Sequence, residues 1–305
     1  MTLCLPEKVA LFQSDGNSLF SDFEESGKGE VIGQDNIKRL LLNIVFNWFI
    51  FKSMEDFKKR LANTLAETGA LFFDNNLILK DGRPTPYFVN LGMIRTGRLS
   101  MDMGDFFAEM MMDQGLVNGT DIILGPSYKG SAIALATSIA LYVHHGRDLL
   151  FEYDRKEAKV HGEGSQSMSL FVNRTFFDGC RVFIVDDVAT SMETKYDIIK
   201  KVEKEAETQE MDIKVMGIGI AIDREQTTAV YDEEGNIVPD QRGGNAIQGF
   251  IYETGIPVHS VAGIREVVGY LYKEKIPVII EGSPRPIDEK TKSRFDEYIK
   301  IYGIN

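Results

Sequence analysis

The chain has only two cysteines, Cys4 and Cys180, among 305 residues. Two thiols so far apart cannot build a disulfide framework or a zinc site, and they point to a reducing compartment. Positive charge is also in deficit. There are 34 Lys and Arg against 46 Asp and Glu, a formal net charge of −12. Proteins that coat nucleic acid carry a basic footprint, so a nucleic-acid partner is not expected. Long apolar runs are missing as well. The most apolar stretch, Leu40 to Phe51, is broken by Asn43 and Asn47 and falls well short of the roughly 20 residues a bilayer span needs. It also lies too far from the start to act as a secretory signal. The expectation is a cytoplasmic protein with no membrane contact. What remains is ample for a core: 43% of residues are hydrophobic and 26% charged, which excludes a largely disordered chain.

The chain divides by pattern. Residues 1–53 combine a Gly- and Ser-punctuated acidic stretch with the apolar run, and read as an N-terminal extension of unassigned role. Met54 opens an amphipathic helix to Thr68, with Phe57, Leu61 and Leu65 on one face and Gly69 placed to stop it. Beyond it, short apolar runs alternate with helical patterns. Strands are predicted at Leu71–Leu79, Tyr87–Leu91, Asp121–Leu124, Leu149–Tyr153, Arg181–Val185, Ile213–Ile222 and Pro257–Val261. Helices are predicted at Met101–Gln114, Ser131–Val143, about Glu193 to Thr208, and Ile264–Leu271. Strands alternating with helices imply βαβ units and an α/β fold with a doubly wound, mainly parallel sheet. The expected division is an extension at 1–53, a domain at 54–280 with a loop insertion at 226–249, and a charged helical tail at 281–305.

The residues with most chemistry begin at Val182-Phe183-Ile184-Val185-Asp186-Asp187-Val188-Ala189-Thr190-Ser191. Four apolar residues make a buried strand, two acids stand at its carboxyl end, and hydroxyl residues lead into a helix. Ligands of open α/β sheets bind outside the carboxyl ends of strands, where helix N-termini offer backbone N–H groups to a phosphate. Two carboxylates there suit the vicinal hydroxyls of a sugar or a hydrated metal. The plainer alternative is a strand with a solvated acidic end. A second stretch, Asp154-Arg155-Lys156-Glu157-Ala158-Lys159-Val160-His161-Gly162-Glu163-Gly164, gathers three permanent cations and a histidine and ends in glycines. It reads as a mobile cationic loop suited to a leaving anion, since donors that close over developing charge act with water excluded.

The Asp186-Asp187 segment resembles the phosphoribosyl-pyrophosphate motif of type I phosphoribosyltransferases, and the Arg155 loop is similar to the catalytic loop of orotate phosphoribosyltransferases. Three further stretches resemble the same family: Lys80 to Asn90 its N-terminal hood (54–92), Gly125-Pro126-Ser127-Tyr128-Lys129-Gly130 its pyrophosphate loop, and Asp223-Arg224-Glu225 the place of an arginine that pairs with orotate. The resemblance implies that Asp186 and Asp187 hold the ribose, that Thr190, Ser191 and Thr194 serve the 5-phosphate, and that Tyr128, Lys129, Arg155, Lys156, Lys159 and His161 bind pyrophosphate. It implies that Lys80, Phe88 and Arg224 position orotate. It also implies Mg²⁺ held mainly through the substrate near Asp186 and Asp187, and a homodimer whose loops reach the neighbouring site. Orotate and 5-phosphoribosyl 1-pyrophosphate would be the substrates. The alternatives are a phosphoribosyltransferase for another base and a regulator that senses phosphoribosyl pyrophosphate without turnover. Two differences from the family pattern stand out: Met192 and Glu193 where it usually has glycine and a small hydroxyl residue, and Val89 where a second aromatic often follows. His144-His145, with no third ligand nearby, read as a helix cap; Met103, Met110, Met111 and Met112 as core or subunit packing; Trp48 as packing of the extension.

Overall fold

Phe57, Leu61 and Leu65 recur every four residues, so helix α1 (Asp56–Glu67) has one apolar side, and all three are buried. Gly69, at φ +66°, turns the chain out of it. These residues come from a computed structural model that describes residues 54–156, 169–189 and 192–304. The extension, with Trp48 and the Leu40–Phe51 run, lies outside the described residues, as do Lys159, His161, Thr190 and Ser191.

Two sheets organise Met54–Asn305, one compact unit. The smaller has the order β2-β1-β8-β9, built from β1 (Leu71–Ile78), β2 (Pro84–Val89), β8 (Pro277–Ile280) and β9 (Ser283–Pro286). Strands β1 and β2 pair antiparallel, with Leu71 opposite Val89, and β8 joins β1 in parallel. Helix α7 (Glu289–Tyr302), capped by the Asp288 carboxylate on Thr291 N–H, packs Phe295 and Tyr298 edge-on to Tyr87, at 5.3 and 5.9 Å between ring centroids.

The larger sheet has the order β4-β3-β5-β6-β7, all parallel: β3 (Ile122–Gly125), β4 (Leu150–Tyr153), β5 (Cys180–Val188), β6 (Ile213–Asp223) and β7 (Val258–Gly263). Strand β3 and the Val182–Val185 run of β5 are apolar on both faces, as burial on both sides requires. Ile123, Phe183 and Val185 face a core shared with α1, α2 (Gly97–Asp113), α3 (Lys129–His145) and α6 (Ile264–Lys273). Their neighbours Ile122, Leu124, Val182 and Ile184 face a second core with α4 (Glu193–Gln209) and α5 (Ala246–Thr254). The period of two thus splits one sheet between two layers of helix. The doubly wound α/β sheet expected from the sequence is present.

From β3 the chain adds β4 on one side, then crosses to β5 and continues through β6 to β7 on the other. The order therefore reverses between β3 and β5. That is the topological switch point where open α/β sheets bind ligands.

Some boundaries differ from the sequence reading. Helix α2 begins at Gly97, ahead of the predicted Met101, because the Thr96 side chain caps it by accepting from Leu99 N–H. The apolar pattern starts later than the helix. Strands β8 and β9 are not predicted at all. Their turn is Glu281-Gly282, with φ of +49° and +78°, the backbone of a tight two-residue hairpin. Positions 246–249 of the predicted insertion open helix α5. Of the methionines, Met103, Met110 and Met111 are core, while Met112 is exposed. His144 lies in the last turn of α3, beside Asp105 at 3.4 Å.

Candidate active site

Both strands flanking the switch point end in chemistry. After β3 the chain folds back over the first turn of α3, and only glycine permits the approach. A Cβ on Gly125 would lie 1.9 Å from the Gly130 carbonyl oxygen, and one on Gly130 would meet Pro126 Cδ at 2.6 Å and the Val185 carbonyl oxygen at 3.0 Å. This loop delivers Lys129 to the acids of β5: its Nζ donates to Asp187 Oδ2 at 3.0 Å. Tyr128 beside it is exposed, and Lys156 Nζ stands 4.4 Å from the centre of its ring.

The two acids have different surroundings. Asp186 is buried and accepts from Lys195 Nζ at 2.7 Å, while its other oxygen accepts from Asp187 N–H. Burial raises its carboxyl above the ordinary carboxylate range, against the pull of the Lys195 ammonium. The Asp187 side chain is 22% exposed and shared with Lys129. Asp186 is thus the more tightly held of the two acids and Asp187 the more open.

Arg224, at the end of β6, is buried, with its guanidinium carbon 5.0 Å from the Tyr87 ring centre and 6.0 Å from that of Phe88. Its Nε and Nη2 have no hydrogen-bond partner among the described residues, nor has the buried Tyr87 hydroxyl. Burial pushes that phenol above its usual pKa, with Arg224 opposing. Leaving two guanidinium donors unmet inside a protein costs on the order of 1–3 kcal/mol each, so the arrangement is one that an anion would complete. Arg83, also buried, is not equivalent. Asp81 engages its Nε and Nη2 at 2.9 and 2.7 Å.

Met192 holds the backbone that a glycine would favour. It lies at φ +61°, ψ 1° as the N-cap of α4, with its side chain 2% exposed in the second core. At this position the difference from a glycine is a side chain turned into the protein. Glu193 is exposed, with its carboxylate 3.7 Å from Lys80 Nζ, and Thr194 is exposed beside it.

The structure thus brings together Lys129 with Asp187, Lys156 with Tyr128, Arg224 with Phe88, and Lys80 with the start of α4. Sequence reasoning did not find Lys195, the partner of Asp186. Nothing in the local pattern marks it, because the pairing is made by the turn from β5 into α4. Arg155 is fixed through its backbone, its N–H donating to Leu170 O at 2.8 Å.

No family model matches the chain. The orotate phosphoribosyltransferase of Bifidobacterium longum (strain NCC 2705) is 32% identical over 254 residues, covering 82% of this chain and 99% of its own. That of Clostridium beijerinckii is 32% identical over 250 residues, with coverage of 82% and 99%. Among solved structures, the orotate phosphoribosyltransferase of Francisella tularensis superposes with a TM-score of 0.60 at 24% identity, over 80% of this chain and 99% of that one.

Proposed function

The chain belongs to the orotate phosphoribosyltransferase family, and from that premise we propose how its own residues divide the work. It is a pentosyltransferase of pyrimidine biosynthesis. It joins orotate to 5-phosphoribosyl 1-pyrophosphate, giving orotidine 5′-monophosphate and pyrophosphate. The bond from ribose C1 to the pyrophosphate oxygen breaks as a bond from C1 to the orotate ring nitrogen forms on the opposite face, and that nitrogen loses its proton. Positive charge builds on the ribose between these events.

Asp186 and Asp187 hold the ribose hydroxyls and favour that positive charge. Lys129, Tyr128, Arg155 and Lys156 receive the departing pyrophosphate, together with Lys159 and His161. Thr194, with Thr190 and Ser191, serves the 5-phosphate at the N-terminus of α4. Phe88 stacks on the orotate ring while Lys80 and Arg224 meet its negative charge. The observation that carries this reading is the buried, unpartnered guanidinium of Arg224 against Tyr87 and Phe88. A planar pyrimidine bearing a carboxylate supplies both the acceptors and the ring face such a site lacks.

The donor set also suits magnesium brought in by the substrate. Among the described residues no three His, Cys, Asp or Glu side chains gather to hold a metal, whereas Asp187 offers one partly exposed carboxylate beside Asp186. Mg²⁺ keeps most of its ligands as water and phosphate oxygens, so one or two carboxylates suffice. When bound there it supplies charge neutralisation to the pyrophosphate.

The enzyme acts as a homodimer in the cytoplasm. An apolar face of α3 supports the dimer: Leu135, Ile139, Tyr142 and Val143 are exposed at helical spacing, with Met101 of α2 also exposed. No helix among the described residues is long and apolar enough to cross a membrane.

Arg224→Met tests the assignment of the base site. Orotate KM should rise at least tenfold, with the KM for phosphoribosyl pyrophosphate little changed. An unchanged orotate KM would remove Arg224 from the site.

A further inference from the structure

Asp154 is a buried carboxylate that the mechanism above does not use. It stands at the end of β4, immediately before Arg155 and Lys156, and is 5% exposed. One oxygen accepts from Ser127 N–H at 2.6 Å, and the Asp154 carbonyl accepts from Ser127 Oγ at 2.5 Å. The other carboxylate oxygen accepts from Lys201 Nζ, which reaches across from α4 and also donates to the Arg155 carbonyl at 3.3 Å. A bridge between Asp154 and Phe171 and the bond from Arg155 N–H to Leu170 O close the same corner. One turn further along α4, the Glu205 carboxylate accepts from Leu170 N–H at 3.2 Å.

Two short segments therefore run side by side. Asp154 holds Ser127, and Lys156 stands over Tyr128, while Lys129, next in the same segment, reaches Asp187. The cations assigned to pyrophosphate come from both segments, and Asp154 is the joint between them. A buried carboxylate with one N–H donor is poorly compensated alone. Lys201 completes it, and its second bond to the Arg155 carbonyl sets where Arg155 and Lys156 begin.

We propose that Lys201 is a positioning residue for the reaction: through Asp154 and the Arg155 carbonyl it fixes Arg155 and Lys156 relative to the Tyr128-Lys129 segment. The proposal rests on the assignment of Lys156 to the leaving pyrophosphate. Lys201 itself touches no substrate. Its effect falls on kcat, because a cation displaced by about 1 Å loses transition-state contact before it loses ground-state affinity.

A double-mutant cycle on the full chain separates positioning from a general loss of structure. Lys201→Met should lower kcat roughly tenfold or more with orotate KM unchanged, and Lys201→Arg should restore most of the loss. In a Lys156→Ala background the same Lys201→Met change should cost less than about threefold, because the cation it positions is gone. Full multiplicative losses in the double variant, or no rescue by Arg, would overturn the proposal. An unchanged kcat for Lys156→Ala alone would instead contradict the assignment of Lys156, a distinguishable failure. Asp154→Asn, which keeps the shape and the acceptor for Ser127 N–H, carries the same cycle if Lys201→Met does not fold. Its loss should likewise shrink in the Lys156→Ala background, and multiplicative losses there would again refute the proposal.

Discussion

Met192→Gly sets two opposed effects against each other at one residue. Met192 lies in the left-handed region at φ +61°, which costs an L-residue roughly 1–2 kcal/mol. Glycine avoids that cost but gives back roughly 0.5–1 kcal/mol through the greater freedom of its unfolded chain. The net relief is about 1 kcal/mol. Against it stands the side chain, 2% exposed in a core with α4 and β5. Removing a buried methionine costs roughly 2–5 kcal/mol. Burial wins, so Met192→Gly should be less stable than the parent by roughly 1–4 kcal/mol. Met192→Ala loses the same burial and keeps the strained backbone, so it should be the weaker of the two by about 1 kcal/mol. Urea denaturation of the parent and both variants reads this order directly. The KM for phosphoribosyl pyrophosphate should stay within twofold in Met192→Gly, because glycine holds the same backbone turn. An Ala variant more stable than the Gly variant would refute the left-handed conformation, and a Gly variant as stable as the parent would refute the packing.

Three other outcomes follow from the site. Lys156→Ala should lower turnover on the order of 100-fold while leaving orotate affinity nearly intact, read by steady-state kinetics with each substrate varied. Glu193→Thr should leave the KM for phosphoribosyl pyrophosphate nearly unchanged, because the Glu193 side chain is 70% exposed and lies near Lys80, where solvent screens its charge; a large fall in that KM would show that it opposes the phosphate. The chain starting at Met54 should fold and keep catalysis, since the residues assigned to chemistry all follow that position, whereas insolubility of that shorter chain alone would show that the extension covers an apolar face.

The parallel sheet was legible because both of its faces are buried, which leaves continuous apolar runs such as Val182 to Val185. The acids after that run stand near the carboxyl end of the strand, the end at which open α/β sheets bind ligands. Strand β9 was hidden because Ser283-Pro284-Arg285-Pro286 carries two prolines and an exposed edge, tolerable only where no second neighbour needs the missing N–H groups. Lys195 was illegible for another reason. A lysine on a helix rich in charge is ordinarily solvated, and only the turn from β5 into α4 buries it on Asp186. Met192 shows the reverse limit. The sequence marks it only as a methionine in place of a glycine, and its left-handed backbone, with the side chain in the surrounding core, emerges only in the fold.

The most direct test of the account is orotate consumption by the purified full chain. With phosphoribosyl pyrophosphate and Mg²⁺ present, the loss of orotate absorbance should match pyrophosphate release one for one. Uracil, the same ring without the carboxylate, should react at least 100-fold more slowly, because only the carboxylate completes Arg224. No consumption of orotate, or equal rates with uracil, would contradict it.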